Sequence, residues 1–248
     1  MSFVNIVKFD LKNIFKTPML VIVNTLEPLV LYIILGVIMK NKFSNKIMSS
    51  FDFYAVTTLI ISATMIVMTT SNIFLDEKVK RGNRRVVYAP ISKGQVYLSK
   101  LVSTFIFAII LFDILAFIEQ YIFKCNFGGK NIIFVIILID ALTFFACSLS
   151  TAGCCILKNE DKVNSIIPLI TSVFLFFSGI FVPLGTDSGI MKVFFSLSPV
   201  RYVTECSMQI IYDNNFALFY KTIIMLMILS IICILICKFT FKVEEYVR

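Results

Sequence analysis

Residues 132–157 read IIFVIILIDALTFFACSLSTAGCCIL, 26 residues with a single charged side chain, Asp140. Apolar and polar positions do not alternate, and the run is too long for a strand. As a helix it is roughly 39 Å long at 1.5 Å per residue, enough to cross the ~30 Å hydrocarbon core of a bilayer. Five further stretches share this character, at 20–39, 53–75, 101–123, 163–184 and 222–241. The first is too long for a signal peptide's apolar region and has no small-residue cleavage site after it, so it is expected to stay in the mature protein. The expected fold is all-α and integral to the membrane, with six spans in one domain, 1–248.

Composition agrees. Of 248 residues 58% are hydrophobic and 15% charged, and the mean hydropathy is +0.92. Soluble domains sit nearer ~45–50% apolar, and disordered or disulfide-scaffold chains are excluded on the same grounds. Histidine is absent, which rules out a Ser-His-Asp triad, a histidine-zinc site and an imidazole proton shuttle. No metal site is expected.

The basic residues set the orientation. With six spans, 15 of the 23 Lys and Arg fall on the side of the N-terminus and 8 on the other, so both termini are expected in the cytoplasm. Lysines beside anionic headgroups account for most of the +8 charge, and nucleic acid is not needed to explain it. Five of the seven cysteines lie in spans, as small packing residues. Cys125 and Cys206 both fall outside, which leaves a disulfide between them open.

Between the spans, three segments stand out. In residues 2–16, Phe3, Val7, Leu11 and Ile14 recur at helical spacing, flanked by Val4 and Phe15, while Lys8, Lys12 and Lys16 line another face. That pattern fits a helix in the membrane interface with its lysines at the lipid headgroups, ended by Thr17-Pro18. The loop 76–100 carries seven basic residues against Asp76 and Glu77, and within it Val86-Val87-Tyr88 forms an apolar patch before Ala89-Pro90-Ile91-Ser92. An apolar knob on a charged loop suits docking into a groove on a partner protein. Glu77, at a helix C-terminus, calls for a basic neighbour such as Arg81. Further on, Ser178-Gly179-Ile180-Phe181-Val182-Pro183 breaks the fifth span, and the apolar pieces 190–197 and 200–211, separated by Pro199, are too short to cross. They are expected as re-entrant or interfacial helices within an outer region 185–215.

Four acids lie in or beside spans: Glu27, Asp113, Glu119 and Asp140. A charge at the bilayer centre costs about 2.5–3.5 kcal/mol on insertion scales. Glu119, near an outer end, is expected to be solvated. Glu27 is within reach of a lysine of the N-terminal helix, and Asp113 and Asp140, nearer mid-membrane, are either transport-path groups or interhelical hydrogen-bond partners.

In this order the features resemble the permeases of ABC type-2 exporters along the whole chain. Pro18, Glu27-Pro28-Leu29 and Gly36 resemble that family's first-span pattern. Glu77, Val86-Val87, Pro90-Ile91-Ser92 and Lys100 resemble its coupling loop, while Ser178, Gly179 and Pro183, then Pro199 and Tyr202, resemble its fifth-span exit and outer hairpin. Two departures stand in the loop: Gly82-Asn83-Arg84-Arg85 replaces the family's Gly-Thr-x-Glu, and Ser99 replaces a glycine.

The resemblance implies an N-terminal elbow helix at 1–17 and a coupling loop at 76–100. It also implies two copies of a separate ABC ATPase that binds ATP and Mg, and a second permease copy, identical or paralogous. No phosphate-binding loop is present: at Gly128-Gly129-Lys130-Asn131, Lys124 and Asn131 stand where the motif needs Gly and Ser/Thr. The chain is therefore not expected to be an enzyme or to bind a cofactor itself. By analogy, the cargo is an antimicrobial peptide, a bacteriocin or a hydrophobic drug, exported across a bacterial plasma membrane. Polysaccharide precursors or a small cation are the rivals within the class. A proton-coupled secondary transporter using Asp113 and Asp140 is the rival outside it, although no inverted repeat is apparent.

Overall fold

The computed structural model describes residues 3–43, 48–75, 93–180 and 198–241. Within them there is no strand, and the helices are α1 (Phe3–Lys16), α2 (Pro18–Ile38), α3 (Ser50–Leu75), α4 (Lys93–Tyr121), α5 (Ile132–Leu157), α6 (Glu160–Phe176), α7 (Pro199–Tyr212) and α8 (Phe219–Thr240). Five of these, α2, α3, α4, α5 and α8, are long and apolar enough to cross a membrane. The fold is a multi-pass helical membrane protein.

Of the expected fifth span, 163–184, the described part is 163–180. Its helix α6 has 17 residues, about 26 Å at the usual rise. The chain leaves it through a turn in which Gly179 takes φ +77°, the left-handed conformation in which glycine ends helices most readily. Ser178 Oγ donates to the Leu175 carbonyl at 2.5 Å and so satisfies one of the helix's terminal acceptors. Five described spans and one shorter helix therefore stand where six spans were expected.

Helix α3 is the central element. It packs against α2, α4, α5, α6 and α7, and 72% of its most apolar stretch is buried, against 22% for α2 and 28% for α8. Its many hydroxyls are compatible with that position because they bond back along their own helix: Thr57 to Phe53 O, Thr58 to Tyr54 O, Thr64 to Ile60 O and Thr70 to Ile66 O. Such bonds hide a polar group from an apolar surrounding. Two glycines permit close helix approach. A Cβ at Gly36 would stand 2.6 Å from the Phe51 ring, and one at Gly153 would stand 2.6 Å from Ile167 Cδ1.

Cross-helix contacts sort into two ends. Asp10 with Lys100, Asn24 with Thr69 and Asn72 with Asn164 meet at the end that holds α1, here termed proximal. Tyr32 with Cys125, Asp52 with Asn126 and Asn131 with Asn214 meet at the distal end. Successive long helices thus run in opposite directions.

Candidate functional site

At the proximal end the last two turns of α3 are tied to three neighbours. Asn24 Nδ2 on α2 donates to Leu20 O at 2.7 Å and to Thr69 Oγ1 at 2.9 Å. The Ser71 hydroxyl donates to Asn164 Oδ1 on α6, and Asn164 Nδ2 donates to Asn72 Oδ1 at 3.3 Å. From α5, Ser150 Oγ donates to Val67 O at 2.6 Å. Interhelical bonds of this kind contribute about 0.6 kcal/mol each. Sequence reading passed over Asn24, Asn72 and Asn164. Their amides within apolar helices were the available signal.

Beside this network lies a buried ion pair. Lys100 Nζ donates to Asp10 Oδ1 at 2.5 Å, with side chains 2% and 1% exposed. Lys100 closes the expected coupling loop 76–100; α4 begins at Lys93 and carries Lys100 into the interior. Asp10 lies one turn from both Val7 and Ile14, so it belongs to the buried stripe of α1, and an acid on that stripe signals a buried basic partner. Lys8, Lys12 and Lys16 are exposed, as expected. A cavity of about 300 Å³ adjoins the pair, lined in part by Asp10, Asn13, Thr17, Leu20, Asn72 and Lys100.

Glu27 makes no ion pair among the described residues, which corrects the expected pairing with an α1 lysine. It is exposed on the outward face of α2, alongside Ile22, Val23, Leu26 and Val30. Nine residues into α2, it stands about 14 Å along the axis from that helix's start, while the lysines lie on α1's own exposed face.

Asp113 and Asp140 lie at matching depths on two helices that pack together, α4 and α5. Each lies eight residues from the distal end of its helix, α4 or α5, hence at the same depth of about 12 Å. Both are half-buried. Asp140 Oδ1 is buried with no hydrogen-bond partner among the described residues.

Glu119 is the plainest correction. Expected in solvent, it is 0% exposed, and among the described residues neither carboxyl oxygen has a hydrogen-bond partner. It shares a face with the buried Leu111, Phe112, Leu115 and Ala116, and the loop beyond α4 folds back over it, bringing Cys125 N–H to Glu119 O at 3.0 Å and burying Phe127. In that loop Cys125 Sγ lies 3.1 Å from Tyr32 Oη, and Asn126 N–H donates to Asp52 Oδ1 at 2.8 Å. Burial pushes the Cys125 thiol above its ordinary range; the Tyr32 bond opposes this, and the charges of Glu119 and Asp52 reinforce it. Cys206 is likewise buried, its thiol pushed up to about 11 by burial against a hydrogen bond with Thr222. Cys125 and Cys206 are both free, so the disulfide left open is not formed.

Of the outer-region residues, Ser178 and Gly179 form the exit turn of α6. Pro199 is the first residue of α7, where its missing N–H is no loss, and Tyr202 is half-buried on α7. Ser198 Oγ donates to Phe174 O at 2.7 Å, joining α7's start to the end of α6. Glu77, Val86, Val87, Tyr88 and Pro90, together with Pro183 and 190–197, lie outside the described residues.

A family model described as "ABC-2 type transporter" matches residues 1–212. No curated protein matches the chain.

Proposed function

Because the chain belongs to the ABC-2 type transporter family, whose membrane subunits associate with an ABC ATPase, we propose that it is the permease of an ATP-driven exporter for an amphipathic cargo. That cargo is an antimicrobial peptide, a bacteriocin or a hydrophobic drug. In this reading α6 and the residues following it to 184 complete a sixth span, α1 lies in the interface as the elbow, and the proximal end is cytoplasmic in a bacterial plasma membrane. ATP and Mg belong to two partner ATPase subunits. These dock on the segment 76–100, with Val86, Val87 and Tyr88 as the apolar knob beside Glu77 and Pro90.

The observation that carries the reading is Glu27. A carboxylate about 14 Å along a spanning helix, turned away from its own bundle and flanked by exposed apolar residues, is costly against lipid. A second permease copy facing α2 across a hydrated path removes that cost. On α6, Ile166, Leu169, Ile170 and Val173 are exposed as well. The matched depth of Asp113 and Asp140 favours a second cargo, a small cation, within the same class.

Reconstitution with the ATPase in liposomes tests the cargo. ATP-dependent movement of a cationic amphipathic peptide, reduced tenfold or more by Glu27→Leu, is expected. Movement of sodium instead, abolished by Asp113→Asn with Asp140→Asn, would select the cation reading.

A further inference from the structure

Asp10 and Lys100 are ninety residues apart in sequence and joined at 2.5 Å. A buried ion pair is a poor source of stability, because removing two charges from water costs about what their attraction returns, and apolar residues of similar volume often hold as well. What it supplies is position. Only one placement of α1 along α4 satisfies both charges, and any slip leaves each one buried and unpaired. The rest of the joint lacks that selectivity: Ile6, Val7 and Ile14 are buried apolar contacts, and Phe15 meets Phe107 edge-on with ring centroids 5.1 Å apart. The neighbouring cavity of about 300 Å³ gives α1 room to shift, and among the described residues Asp10 Oδ2 has no hydrogen-bond partner to hold it from the other side.

We propose that Asp10 and Lys100 are a positioning pair that locks the register of α1 on the base of α4, so that movement of α4 driven by the ATPase reaches α1 and α2 instead of being lost in sliding. The proposal rests on the ATP-driven permease reading and names the residues that transmit the movement there.

The test uses the purified permease–ATPase complex with spin labels at Lys12→Cys on α1 and Ile231→Cys on α8, both exposed positions. The label distance is compared without nucleotide and with ATP plus vanadate. With Asp10 and Lys100 intact, a nucleotide-dependent change in that distance is expected. The apolar pair Asp10→Leu with Lys100→Met is expected to assemble, to melt at or above the wild-type temperature, and to hydrolyse ATP within twofold of wild type, yet to show a distance change at least fivefold smaller. A full-sized change in the apolar pair, failure of that pair to assemble, or an α1 that never moves would each overturn the proposal. A wild-type chain to which no ATPase binds would instead overturn the permease reading itself, before any substitution is compared.

Discussion

Glu119 illustrates what a single side chain can cost. It is a fully buried carboxyl group with no donor to either oxygen among the described residues, and burying such a group without compensation is expensive by several kcal/mol. Replacing it with an apolar residue of similar length removes that cost. Glu119→Met is expected to raise the thermal midpoint in detergent by about 2–4 °C per kcal/mol recovered; a lower midpoint would mean that the carboxylate is held by a partner. At this scale residue type and depth were legible in the sequence, and face was not. Asp113 and Asp140 lie at matching depth, eight residues from the distal ends of their helices, as counting along each span gives. Glu119 was misplaced because the inward turn of α4 and the returning loop at Cys125–Phe127 decide its surroundings, and neither follows from distance to the end of an apolar run.

Among the elements, α3 is held by a network of short contacts that small residues make possible. Gly153 lets α5 lie against Ile167 of α6. Gly153→Val forces those helices apart, and overpacking of this kind typically costs about 1–3 kcal/mol. A lower midpoint with normal membrane insertion is the expected result, read by thermal unfolding and by yield in the membrane fraction. The long helices were legible because spans announce themselves by length and hydropathy. The break at Ser178-Gly179 was legible too, and α6 ends just before it, at Phe176. For the segment 76–100, Tyr88→Ala should insert normally and lose the ATPase. A buried aromatic anchor is worth ~2 kcal/mol or more, about thirtyfold in affinity. Lys78→Ala, a rim charge, should retain the ATPase at physiological salt. The reverse ranking in a pull-down would make the loop an electrostatic patch.

For the molecule as a whole, the central claim is that this chain is the membrane half of a machine whose energy source is a separate subunit. Hydropathy, charge asymmetry and the absence of histidine and of a phosphate-binding loop pointed there from the sequence. The family match over residues 1–212 establishes the class. The joint between α1 and α4 through Asp10 and Lys100 depended on tertiary structure, because no local pattern links residues ninety positions apart. The most direct measurement is ATP hydrolysis by the chain purified alone and by the chain co-purified with a co-expressed ABC ATPase. The account predicts no hydrolysis above background for the chain alone and a stable complex that hydrolyses ATP. Transport by the purified chain alone in liposomes, driven by a proton gradient without ATP or an ATPase, would contradict it.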